Sequence, residues 1–232
     1  MTLHLPFKPT EAGFFVERLN RFVALVELNG ETVAAHIATS GRLTELLVPG
    51  ASVLLERNNS ATRRTAFSVR AVWYQQTWVS IDAQLPNKLV KQVLLAKALP
   101  PFEQCEFVRS EPVYSSGRFD FLLAEAGQAV YVEVKSVTLV IDKVALFPDA
   151  PTARGRRHLA HLADLQREGC RCAVIFIIQR GDADYFAPNR RTDLQFGQSL
   201  RQAASAGVEL YAYRCRVDQA GMTLAERLPV LI

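Results

Sequence analysis

The sequence has no long apolar run: the longest, residues 173–178, falls far short of the ~20 residues a membrane-spanning helix needs, which argues against a transmembrane segment and a membrane partner. Low-complexity tracts are also missing. The N-terminus, Met1-Thr2-Leu3-His4-Leu5-Pro6, lacks the basic and apolar regions of a secretory signal, so the expected compartment is the cytoplasm. Only four cysteines occur, at 105, 170, 172 and 215, too few and too irregular for a disulfide framework. Cys170-Arg171-Cys172 has no second Cys or His pair at zinc-ligand spacing, so reduced structural thiols are expected. Charge of neither sign dominates. With 27 Lys plus Arg against 23 Asp plus Glu the net charge is +4 and the pI about 9.0, compatible with a polyanionic partner without requiring one. A hydrophobic content of 49% over 232 residues allows one large domain or two of roughly 80 and 150 residues.

What the chain does have, first, is a β-rich N-terminal third. Residues 14–28 read as one long strand, Asn29-Gly30 is a strong hairpin signal, and residues 32–37 return beside it. Residues 42–47 suggest a helical turn before Pro49-Gly50, and residues 52–56, 65–74 and 78–81 add three more strands. Five strands in about 70 residues predict a small closed barrel of the OB type. Such barrels bind single-stranded nucleic acid through basic grooves and aromatic stacking platforms. Arg63, Arg64, Trp73 and Trp78 are the candidates, with Arg70 and Tyr74 nearby. Consecutive Trp73 and Tyr74 must face opposite sides, so each tryptophan is either a stacking platform or a piece of the core.

A boundary near residues 82–86 gives an expected first domain of 1–83 and a second of 84–232. Pro86 suits a helix start, and Pro100-Pro101 stops that helix. Residues 106–114 read as a strand, and residues 117–123 and 130–136 as a hairpin around Ala126-Gly127-Gln128. A helix over 152–168 closes at Gly169. The apolar run 173–178, flanked by helices, fits a strand covered on both faces. A further helix over 194–206 and two strands end the chain. The order α, β, β, β, α, β makes this second domain α/β. Asp182 and Asp184, in the polar loop over 181–193, read as solvated acids.

The hairpin carries the chemistry. Glu133 and Lys135 share one face of its second strand, while Val132 and Val134 fill the other. Asp120 lies among Phe119, Phe121 and Leu122, where a carboxylate is costly unless it is paired or holds a cation. Two carboxylates suit a hard cation such as Mg²⁺, and a lysine can orient an attacking water. This D…ExK pattern resembles the catalytic hairpin of the PD-(D/E)xK, restriction-endonuclease-like superfamily. On the helix over 152–168, Leu159, Leu162 and Ala163 make the buried stripe, and Arg154, Arg157 and His161 share the opposite side, with His158 at its boundary. That face is either a contact for phosphates or simply solvated.

Three blocks together resemble the sugar fermentation stimulation protein A family: residues 117–123, residues 133–139, and the run from Phe147-Pro148-Asp149 to Arg157-His158-Leu159. The resemblance implies an OB-like barrel followed by a PD-(D/E)xK nuclease-like domain. It also implies DNA binding without strong sequence preference and a link to regulation of maltose metabolism. Carried over, Asp120 and Glu133 are metal ligands and Lys135 the catalytic lysine, with Asp149, Arg154 and His158 flanking. Two departures stand out. The family's Asn-Thr-Gly appears as Ala38-Thr39-Ser40-Gly41, and residues 87–99 contain none of the acids that many superfamily members place on the first helix. Glu111 is the candidate replacement as a third metal ligand.

Two functions are therefore expected as alternatives. One is a nuclease using Mg²⁺ or Mn²⁺, with Asp120, Glu133 and Lys135 catalytic and with Arg63, Arg64, Trp73, Trp78, Arg118, Arg154, Arg157 and His158 on single- or double-stranded DNA. The other is a DNA-binding regulator of sugar metabolism genes without turnover. RNA as ligand and a homo-oligomer stay open.

Overall fold

The computed structural model describes residues 3–39, 41–58, 64–115 and 117–232. The stretch expected as one strand over residues 14–28 is two. β1 (His4–Pro6) precedes it; then β2 (Thr10–Asn20) turns at Asn20-Arg21-Phe22 into β3 (Val23–Leu28). Asn20 Oδ1 accepts the Phe22 N–H at 2.9 Å, and the Arg18 guanidinium donates to the carbonyls of Asn20 and Arg21 at 3.2 and 2.6 Å. A short polar side chain thus stands in for a backbone turn inside a stretch, residues 14–28, that lacks glycine and proline. Asn29 and Gly30, both at positive φ (53° and 84°), make the expected tight turn into β4 (Glu31–Ile37).

β5 (Ser52–Arg57) and β6 (Phe67–Tyr74) follow, and a parallel pairing of β4 with β6 closes the order β4-β3-β2-β5-β6 on itself. This is a five-stranded OB barrel filled by Val26, Ile37, Val53, Leu55 and Val69. β7 (Thr77–Ser80) pairs outside the closure, against β6.

The second domain begins with α1 (Leu85–Leu95), whose Pro86 sits in the first turn as expected. β8 (Glu106–Ser110) ends where Glu111 takes φ +53° before Pro112. β9 (Val113–Tyr114) and β10 (Gly117–Arg118) form a separate two-stranded ribbon. The hairpin proper is β11 (Phe121–Glu125) and β12 (Gln128–Val137), which turns at Ala126 and Gly127, at φ 47° and 83°. β13 (Leu139–Ile141) and β14 (Val144–Phe147) lead to α2 (Ala153–Arg167). The chain then runs through β15 (Arg171–Ile178), β16 (Tyr185–Pro188), α3 (Leu194–Ser205), β17 (Glu209–Val217) and β18 (Gly221–Leu228).

Seven strands form one sheet in the order β1-β18-β17-β15-β12-β11-β8, with β12, β15 and β17 mutually parallel. β15 is wholly covered, as its apolar run predicts. Val130, Val132 and Val134 of β12 pack with α1, whereas Val137 packs with Leu159 and Leu162 of α2. The result is a restriction-endonuclease-like α/β domain preceded by an OB barrel. Its edge strand β1 comes from the N-terminal residues, so the chain enters the second domain, builds the barrel, and returns.

The residues between the domains are tied down rather than loose. Arg70, expected near the aromatic platform, is turned inward as a bridge between Glu56 and Asp82. Asp82 also accepts the Gln84 N–H at 2.9 Å, which anchors the approach to α1. Ser80 bonds Gln179 twice, through its N–H at 3.0 Å and its hydroxyl at 2.9 Å. Asp182, expected as solvated, instead receives two 2.6 Å hydrogen bonds from the fully buried Arg180, which would otherwise be an unpaired internal charge. Among the described residues no helix is long and apolar enough to cross a membrane.

Candidate functional site

Strand alternation turns the side chains of Glu133 and Lys135 toward α2, and Asp120 sits in the bend just before β11. A cavity of about 290 Å³ brings all three together with Asn87, Asp149 and Arg154. Its far wall belongs to the barrel, through Thr39, Gly41 and Leu43.

Glu133 is 4% exposed and its oxygens are treated unequally. Oε1 carries both Lys135 Nζ at 2.5 Å and His158 Nδ1 at 2.5 Å. Oε2 is buried and, among the described residues, accepts no hydrogen bond. Burial pushes this carboxyl up, but Lys135 and His158 outweigh it and hold it below its ordinary range. His158 Nε2 accepts from Arg154 Nε at 3.4 Å, and because a guanidinium only donates, the imidazole proton belongs on Nδ1, facing Glu133. His158, expected to contact phosphate, is buried and acts on Glu133 instead.

Among the described residues Asp120 accepts from neutral donors: Oδ1 from the Asn87 amide at 2.5 Å and Oδ2 from the Val134 N–H at 2.7 Å. Burial first, and then the charge of Glu133, raise its pKa from 3.8 to about 6. Among the described residues no group of three or more His, Cys, Asp and Glu side chains is placed to hold a metal ion. What the site offers is two carboxylates. One has an orphaned buried oxygen and the other is under-compensated, and that donor set fits a hard divalent cation retaining several waters.

The remaining expected residues fall elsewhere. Glu111 is not brought to the cavity: its side chain is 72% exposed and faces Arg118 at 3.6 Å. The break in β8 at Pro112 turns it outward, so neither Glu111 nor Arg118 lines the site. Arg154 lines the cavity while exposed, and Arg157 is exposed on α2. Trp73 and Trp78 are cross-strand partners in edge-to-face contact at 5.2 Å, with Trp73 43% exposed, and Arg64 is exposed. Arg63 lies outside the described residues.

Sequence reasoning missed Asn87 as a partner of Asp120, although an amide beside Pro86 at a helix start was its signal. Likewise missed was Asp193, which caps α3 at Phe196, accepts the Thr152 N–H at 2.9 Å and pairs with Arg156 at 2.7 Å. That fixes the start of α2, and with it Arg154 and His158. Asp149 accepts the Arg42 N–H at 3.1 Å, and Gly41 approaches so closely that a Cβ there would lie 2.7 Å from Asp149 Oδ2. The barrel therefore docks on the site where the expected Asn-Thr-Gly is altered.

Comparison with known proteins agrees with this architecture. The SfsA N-terminal OB domain matches residues 16–81, and the sugar fermentation stimulation protein RE domain matches residues 84–221. A sugar fermentation stimulation protein homolog of Natranaerobius thermophilus is 47% identical over 223 residues, covering 94% of this chain and 92% of that protein. One from Chloroflexus aurantiacus is 46% identical over 222 residues, covering 96% and 86%. The structure of Pyrococcus furiosus SfsA in complex with Ca²⁺ superimposes with a TM-score of 0.92 at 29% identity, covering all of both chains.

Proposed function

The chain belongs to the sugar fermentation stimulation protein family, and from that premise we propose that it binds DNA and hydrolyses phosphodiester bonds with Mg²⁺ or Mn²⁺ in its second domain. The observation that carries the reading is the orphaned Oε2 of Glu133 beside Asp120 in a cavity that also holds a lysine. The Ca²⁺ bound by the Pyrococcus relative supports a divalent cation here.

Asp120 and Glu133 would hold the metal, which when bound supplies charge stabilisation to the phosphate and lowers the pKa of a water. Asn87 and the Val134 N–H keep the Asp120 carboxylate oriented. His158 holds Glu133 through Oε1, leaving Oε2 for the cation. The Lys135 side chain is only 11% exposed and its ammonium has three donors: one goes to Glu133, and the others would hold an attacking water. Arg154, at the cavity wall, offers a guanidinium to the phosphate flanking the scissile bond.

The test is cleavage of linear, circular and single-stranded DNA with each metal. Wild type should cut at least one substrate, and Asp120→Ala and Lys135→Ala should not. Cleavage by neither wild type nor variant, or equal cleavage by all, overturns the proposal. A second reading, DNA contact without turnover in regulating sugar genes, draws support from the tight engagement of Lys135 by Glu133. It predicts salt-dependent, weakly selective binding that ignores divalent metal.

A further inference from the structure

The outer surface of the barrel carries a cluster that the cavity does not use. Phe22, in the turn between β2 and β3, is 47% exposed and stacks on His36 with ring centroids 6.4 Å apart and planes 17° from parallel. Its carbonyl accepts the Ile37 N–H at 2.9 Å. The stack therefore sits at the end of β4, where the chain leaves the barrel toward Thr39 and Gly41 on the cavity wall.

One guanidinium joins the two places. Arg18 donates to the Arg21 carbonyl at 2.6 Å and to the carbonyls of Gly41 and Arg42 at 2.9 and 2.8 Å. Arg21 and Arg42, whose carbonyls it holds, are both exposed. Burial first, and then the charge of Arg21, weaken the hold of Arg18 on its proton, while Asp149 acts the other way.

An exposed ring among gathered guanidiniums is chemistry for bases and phosphates presented together. A π-face accepts any base but needs the base unpaired, since a duplex hides base faces inside its stack. Resting on the nucleic-acid reading above, we propose that Phe22, flanked by Arg21 and Arg42, is a loading platform for single-stranded nucleic acid and leads the strand into the cavity. Charge complementarity and continuity with the cavity wall both favour this occupant. The Trp73–Trp78 pair is the competing platform.

The test is fluorescence anisotropy in EDTA, which reads binding apart from cleavage. Labelled oligo-dT, oligo-U and a blunt duplex, each of about 20 nucleotides per strand, serve as probes, with the dT and U arms separating DNA from RNA. Single strands should bind more tightly than the duplex. Phe22→Ala should weaken them about tenfold, from the usual worth of base–aromatic stacking, and Phe22→Trp should preserve binding. A loss under threefold in Phe22→Ala, a loss confined to Trp73→Ala, or a duplex bound as tightly as single strands overturns the platform. Should Phe22→Ala melt early, Arg21→Glu in the same exposed turn carries the same thresholds. A protein that passes this test yet never cuts removes the nuclease reading and leaves the platform standing. One that cuts but shows no Phe22 effect does the reverse.

Discussion

Each domain buries a cluster of two carboxylates and a cation, and the two clusters are finished differently. In the barrel, Arg70 faces Glu56 with a two-pronged contact at 2.9 and 2.8 Å and reaches Asp82 with its remaining nitrogen. Burial alone would raise Glu56, but Arg70 more than offsets it and its carboxyl lies below the ordinary range. In the second domain Lys135 and His158 crowd one oxygen of Glu133, the other oxygen has no partner among the described residues, and Asp120 accepts from neutral donors. A planar guanidinium can saturate two carboxylates at once, whereas a lysine is a point charge that leaves geometry free. The first cluster is complete as it stands, whereas the second keeps a buried carboxylate oxygen with no partner among the described residues.

The largest effect that would sharpen this contrast is on chemistry. Lys135→Ala should lower metal-dependent cleavage by about 10²- to 10⁴-fold, whereas Arg70→Met should act on stability. Removing Arg70 strands Glu56 and Asp82, so urea unfolding should show a loss of about 3–5 kcal/mol with Mn²⁺ affinity unchanged. An Arg70→Met protein as stable as wild type would break the comparison.

Next is pH, measured by urea unfolding of metal-free protein. The folded pKa of Asp120 is about 6 against an ordinary 3.8, so the folded state favours its proton. The associated stabilisation is full below pH 4 and is lost as pH rises toward 6, leaving Asp120→Asn more stable than wild type by about 2–3 kcal/mol at pH 8. Asn87 can flip its amide to suit the new side chain. Glu56 runs the other way: its lowered carboxyl stabilises above the ordinary carboxylate range and ceases to do so as pH falls through its folded value. Glu56→Gln should therefore lose stability at pH 8, and matching signs for the two variants would contradict the contrast.

Smaller still is the positioning effect of His158. His158→Ala should weaken Mn²⁺ binding, read by paramagnetic titration, about 10- to 100-fold, because Glu133 Oε1 loses one of its two anchors. Smallest is Trp73→Ala, for which loss of the edge-to-face contact with Trp78 should cost about 0.5–1.5 kcal/mol in unfolding.

Much of this was legible in one chain. The alternation Val132-Glu133-Val134-Lys135 dictates which side chains share a face, Pro86 marks the start of α1, and the run over 173–178, flanked by helices, fits a covered strand. The β2–β3 turn was not legible, because residues 14–28 hold no glycine or proline and the turn rests on the Asn20 side chain together with Arg18. Nor was the outward turn of Glu111, or the inward turn of Arg70 and Arg180, since a charged residue on a strand looks the same from sequence whether it meets solvent or a distant carboxylate.

Composition, spacing and the three family-like blocks by themselves determined that this is a barrel followed by an α/β domain with Asp120, Glu133 and Lys135 on one hairpin, because period-two geometry is local. Tertiary structure alone decided that His158 and Lys135 share one oxygen, that Asn87 rather than an acid meets Asp120, and that the barrel's Gly41 walls the cavity. Lys135 on Glu133 apart, those contacts join residues distant in the chain, 25 positions for His158 and Glu133 and 33 for Asn87 and Asp120, set by how helices and barrel pack on the sheet and not by any local pattern.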